Sequence, residues 1–115
     1  MAYDEVLADR LRSLLGADGP GEDHVRERRM FGGSAFLVDG HMAVAVSGGG
    51  GLMVRCDPAD AERHVQHDGV ARMVMKERAM NGWLLVAPDV LTTDEALRPW
   101  VDVGLAFVAG LPPKP

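Results

Sequence analysis

The stretch SAFLVDGHMAVAV, residues 34–46, constrains this chain more than any other. Two apolar runs flank Asp39-Gly40. Asp-Gly suits a type I′ turn, in which both central residues need positive φ. Ser34–Val38 and His41–Val46 are therefore expected to pair as an antiparallel hairpin. Simple alternation puts Met42, Val44 and Val46 on one face and Ala43 and Ala45 on the other. A face of such small residues either admits a closely packed helix or faces solvent. The hairpin commits the chain to a sheet, and the flanking segments decide the rest.

Before the hairpin, Leu7, Leu11, Leu14 and Leu15 recur at spacings of three and four, with Tyr3 one turn earlier. That is the stripe of an amphipathic helix, and Gly16 ends it. Residues 16–23 read as a loop, and HVRERRMF as a weakly alternating strand with Val25 on one side and Arg26 and Arg28 on the other. After the hairpin come Ser47 and four glycines, then a strand LMVR. Asp57-Pro58 predicts a helix start, since Asp caps free N–H groups and Pro at the first position loses no needed bond. That helix runs to about Gly69, with Ala61 and Val65 inward. Val70–Lys76 reads as a strand, Asn81-Gly82 as a turn and WLLVA as a strand. Thr92-x-x-Glu95 has the form of a capping box. Pro99 removes a helical hydrogen bond, so the last main helix is predicted over about 99–109, with Trp100, Val101, Leu105 and Val108 inward. Residues 110–115 read as an irregular tail.

The order is thus helix, four strands, helix, two strands, helix. Strand runs joined by tight turns give an α+β fold, an antiparallel sheet of five or six strands with helices packed on it. A length of 115 residues fits one domain, 1–115. Apolar residues at 47% and charged residues at 25% are ordinary globular values. The lone Cys56 forms no intrachain disulfide and, with an acidic N-terminus unlike a signal peptide and no long apolar run, gives an expected cytoplasmic location without membrane association. A net charge of −5 argues against nucleic-acid binding, which uses a basic excess.

The candidates for chemistry thin out on inspection. Gly48–Gly51 lack the lysine, hydroxyl and helix start of a phosphate loop, and read as an exposed hinge between two strands. His64 and His67 stand three apart, but nothing supplies further metal ligands. Cys56 reads as a small buried apolar residue. No cofactor signature is present. The remaining lead is basic: Arg26, Arg28, Arg29, Arg55, Arg72, Lys76 and Arg78 lie on or beside predicted strands. Six methionines in the strand region fit core filling or, more sharply, an adaptable contact surface.

RRMFGGSAFLVDGHMAVAVSG (28–48), GLMVR (51–55) and MNGWLLVAPDVLTTDEALRPWVDVGLAFVAGLPP (80–113) together resemble the TfoX/Sxy N-terminal domain family, most specifically at Met30–Gly33, GLMVR and Gly82-Trp83. The resemblance implies a small α+β domain and a link to bacterial competence regulation, in which full-length members act with the cyclic-AMP receptor protein. Those regulators carry a second, C-terminal domain; this chain reads as the N-terminal domain alone. No catalytic residue transfers from the resemblance.

The expected function is that of a non-enzymatic regulatory module acting by contact with a protein partner or as a homodimer. Its expected surface surrounds Arg29, Phe31, Gly32, Gly33, Arg55 and Trp83, with Gly32 and Gly33 expected to allow close approach of a backbone or a ligand. The alternative is a small-molecule or anion site built from Arg29, Arg55 and Lys76, because arginines grip carboxylate and phosphate. It requires those three cations to converge.

Overall fold

The structure, a computed structural model, describes residues 5–16, 21, 23–30, 33–48, 50–75 and 78–112, with side chains for all of these except Met30, Met75 and residues 78–81. Tyr3, Phe31, Gly32, Gly49, Lys76, most of the 16–23 loop and the last three residues of the predicted tail lie outside the described residues. The elements are helix α1 (Glu5–Leu15), strands β1 (Val25–Met30), β2 (Gly33–Val38), β3 (His41–Val46) and β4 (Leu52–Arg55), helix α2 (Ala61–His64), strands β5 (Val70–Met75) and β6 (Arg78–Val86), and helix α3 (Asp94–Ala109). This is the predicted α+β order. The six strands form one antiparallel sheet in the order β1-β2-β3-β4-β6-β5.

The hairpin forms as expected. Asp39 (φ 50°) and Gly40 (φ 88°) both take positive φ, as a type I′ turn demands. The simple alternation along β3 does not survive. Phe36 pairs with Val44 but Leu37 pairs with Met42, leaving Ala43 as the extra residue of a bulge. The bulge turns Met42 to the face opposite Val44 and Val46, while Ala43 packs with Val38 and Val108 of α3. There the small residue does admit a helix. A Cβ on Gly104 would stand 2.6 Å from the Ala43 carbonyl oxygen, so the α3 backbone lies directly on the bulge.

All three helices cover one face of the sheet. Leu7, Leu11, Leu14 and Leu15 of α1, Ala61 of α2, and Leu97, Trp100 and Val101 of α3 are buried with Phe36, Val44, Val46, Leu52, Val54, Leu84 and Val86. Arg12 fixes α1 to the sheet edge. Its Nε and Nη2 donate to Glu27 Oε1 and Oε2 at 2.7 Å each, and Ser34 Oγ donates to Glu27 Oε2 at 2.6 Å. The arginine and serine hold the Glu27 carboxyl below its usual range, and the arginine is held charged more firmly in return.

Several local expectations shift. The helix after Asp57 shortens to a 3₁₀ turn, Pro58–Asp60, and the single-turn α2; Asp57 Oδ1 still accepts from the Ala59 N–H at 2.9 Å. Asn81-Gly82 is no turn, because β6 continues through it, with a bulge against β5 between the Arg72–Leu84 and Val74–Ala79 pairs. Gly82 does need its positive φ of 83°, but as a kink where its carbonyl accepts from the Cys56 N–H at 2.8 Å. The cap of α3 is Thr93, not Thr92: its Oγ1 accepts from the Ala96 N–H at 3.1 Å. The helix begins at Asp94 and carries Pro99 inside it. Pro99 and Glu95 both face water, so the Glu95 carbonyl left without a helical donor can be solvated, while Trp100 and Val101 beside them bury enough apolar surface to hold the helix together.

The glycine run is a built turn and not an exposed hinge. Gly50 donates to the Ser47 carbonyl and Ser47 to the Gly51 carbonyl, both at 3.1 Å. Gly51 is buried at φ 91°, and a Cβ there would meet the Val86 carbonyl oxygen at 2.6 Å. Among these glycines Gly51 is thus required by both conformation and space.

Candidate interaction site

With three helices on one face, the described residues of the other face all come from strands. Ala35, Ala45 and Met53 are fully buried within it, and Leu37, Met42, Met73, Trp83 and Leu85 pack over them while staying partly exposed. No described helical residue belongs to this cluster. The strands are apolar on both faces, and among the described residues the second face is packed by strand side chains that stay partly exposed. Alanines at positions 35 and 45 leave low ground, over which the longer side chains lie.

The register places the charges. Arg26 pairs with Leu37 and Arg28 with Ala35, so both arginines stand at the β1 side of this second face, and both are exposed. A shallow concavity of about 540 Å³ lies between Arg26, Arg28 and Leu37 and the hairpin end at Asp23, His24 and Asp39. His24 Nδ1 sits 3.0 Å from Asp39 Oδ1, and this contact raises the imidazole above its ordinary range. Arg55 pairs with Trp83 at the end of β4. Its guanidinium carbon lies 6.0 Å from the Trp83 ring centre and 5.0 Å from that of Phe107, within cation–π range of both.

The expected site residues separate. Arg55 and Trp83 come together. Arg29 does not join them: it pairs with Ser34, which lies opposite Val46, on the helix-covered side and at the other end of the strands. Arg29 and Arg55 therefore stand at opposite ends of the strands and do not converge on one pocket. Gly33 does allow a close approach, but to its own chain, since a Cβ there would stand 1.8 Å from the Val46 carbonyl oxygen. Phe31, Gly32 and Lys76 lie outside the described residues. Arg72 is on the helix side and bonds Glu62 at 2.9 Å. The sequence reading passed over Leu37 and Leu85. Their signal was present: strands apolar at every position announce two packed faces.

The other chemistry-bearing groups serve structure. Cys56 is buried, and burial pushes its thiol up, away from the nucleophilic form. His64 and His67 set their rings edge-on to Trp100 at 5.7 and 5.5 Å, and burial lowers His64. Among the described residues, no group of three His, Cys, Asp or Glu could hold a metal ion. No described helix is long and apolar enough to cross a membrane.

No curated protein and no solved structure shows significant similarity to the chain. A family model does: the one described as the TfoX N-terminal domain matches residues 20–108, which takes in the whole sheet and α3 almost to its end. The chain therefore belongs to the TfoX N-terminal domain family.

Proposed function

We propose that this domain is a non-enzymatic, cytoplasmic regulatory module that acts by protein contact through the uncovered face of its sheet. The observation that supports it is the division of the sheet. One face is closed by every helix; the other presents Leu37, Met42, Met73, Trp83 and Leu85 partly exposed, with arginines at its margin. A contiguous apolar patch on a small domain marks an interaction site more often than chance. Methionines suit such a surface because their flexible thioethers adapt to a partner. The family resemblance implies a link to competence regulation, and a contact surface would suit a co-regulator.

A photo-crosslinking residue placed at position 42 in the cell tests this. It should yield an adduct of defined mass, whereas the same residue at Asp102, exposed on α3, should not. Equal yields from both positions, or none from position 42, would overturn the reading.

A further inference from the structure

The charges of this molecule are sorted by layer. The strands contain six arginines (26, 28, 29, 55, 72 and 78) and a single acid, Glu27. That is +5 on the strands, so a chain of net charge −5 carries −10 on its helices, turns and ends. Glu27 faces the helices, where Arg12 holds it. No strand position on the second face is acidic, and Arg26 and Arg28 stand exposed there, with Arg55 at the strand end. Asp23 and Asp39 lie at the hairpin rim, and Asp39 is engaged by His24.

From this sorting we propose that the uncovered face binds an acidic amphipathic segment of a protein partner, its apolar side on Leu37, Met42, Met73, Trp83 and Leu85 and its carboxylates on Arg26 and Arg28. This rests on the interaction reading above and adds the partner's chemistry. The dimensions fit. Six strands span five spacings of ~4.8 Å, or ~24 Å. A helix of about sixteen residues is equally long at ~1.5 Å per residue. A second copy meeting by this face offers Arg26 and Arg28 no acidic strand position, which disfavours a symmetric dimer. Nucleic acid would find arginines too, but among the described residues of this face Trp83 alone offers an aromatic ring for base stacking.

The test uses the full chain and a labelled synthetic helix with leucines at i, i+3, i+4 and i+7 and glutamates on its flanks. Fluorescence anisotropy should show binding that a scrambled peptide lacks and that a lysine-flanked version matches only weakly. The charge reversal Arg26→Glu with Arg28→Glu touches two exposed side chains. It should weaken the acidic peptide by about tenfold or more and strengthen the basic one. Arg98→Glu on α3, also exposed, should change neither. Equal binding of acidic and basic peptides, or an unchanged order after the double reversal, overturns the proposal. So does tighter binding of an oligothymidine with a steep salt dependence, or a dimer in sedimentation that Met42→Glu dissociates. If the peptides fail while crosslinking at position 42 still gives its adduct, the acidic partner falls and the interaction reading stands; if both fail, both fall.

Discussion

Replacing Gly33 by alanine separates two uses of a glycine. The sequence left Gly33 open to a backbone or a ligand; the structure gives the room to the Val46 backbone. An added Cβ would lie 1.8 Å from the Val46 carbonyl oxygen and 2.8 Å from its carbon, both backbone atoms that cannot swing aside. The β2 strand must then move by more than an ångström, at the point where Ser34 pairs with Val46 and bonds Glu27. Overpacking of this kind costs about 1–3 kcal/mol. Stiffening the unfolded chain returns only about 0.4–1 kcal/mol, so the net is a loss. Urea unfolding followed by fluorescence measures it. With a slope of about 1–3 kcal/mol/M, a loss of ~2 kcal/mol lowers the midpoint by roughly 1 M. Gly110→Ala is the control, since its nearest neighbour would stand at an ordinary 3.5 Å. A Gly33→Ala midpoint equal to wild type, or above it, would refute the packing argument.

Three further outcomes follow from the geometry. Pro99→Ala restores the N–H that the α3 interior lacks and should raise the melting temperature, by an amount worth about 1–3 kcal/mol; a fall would mean that the proline contributes more than its missing bond costs. Thr93→Ala should cost about 1 kcal/mol in chemical denaturation and Thr92→Ala almost nothing, because the hydroxyl of Thr93 caps the helix; equal losses would return the cap to Thr92. The folded-state pKa of Glu27 is depressed, so its stabilising effect is present above the unfolded carboxyl range and is lost as pH falls through the folded value. The stability gap between wild type and Glu27→Gln should therefore close in acid, and a gap independent of pH from 7 to 3 would contradict the assignment.

The fold was legible where period and turn chemistry agreed. The leucine spacing of α1 and Asp39-Gly40 carried their elements to within a residue or two. It was misread where one residue type answers to two demands. Gly82 takes positive φ in a kinked strand as readily as in a turn. Pro99 is tolerated in α3 because it faces water and its neighbours are buried, and exposure is not written in the local sequence. Ala43 changes face because the pairing slips by one residue, which depends on the partner strand. The contact surface was half legible. The methionines suggested an adaptable face, but the arginines could be sorted only once the register was known, and it set Arg29 at the end of the strands away from Arg55.

The central claim is that the uncovered face of the sheet is where this domain meets its partner. Methyl NMR of the full chain, titrated with the acidic amphipathic peptide, tests it most directly. The account predicts shifts at Leu37, Met42, Met73 and Leu85, with Leu11, Leu15 and Leu97 of the helical core unmoved. Shifts confined to the methyls of the helical layer, or none at the sheet face under saturating peptide, would contradict it.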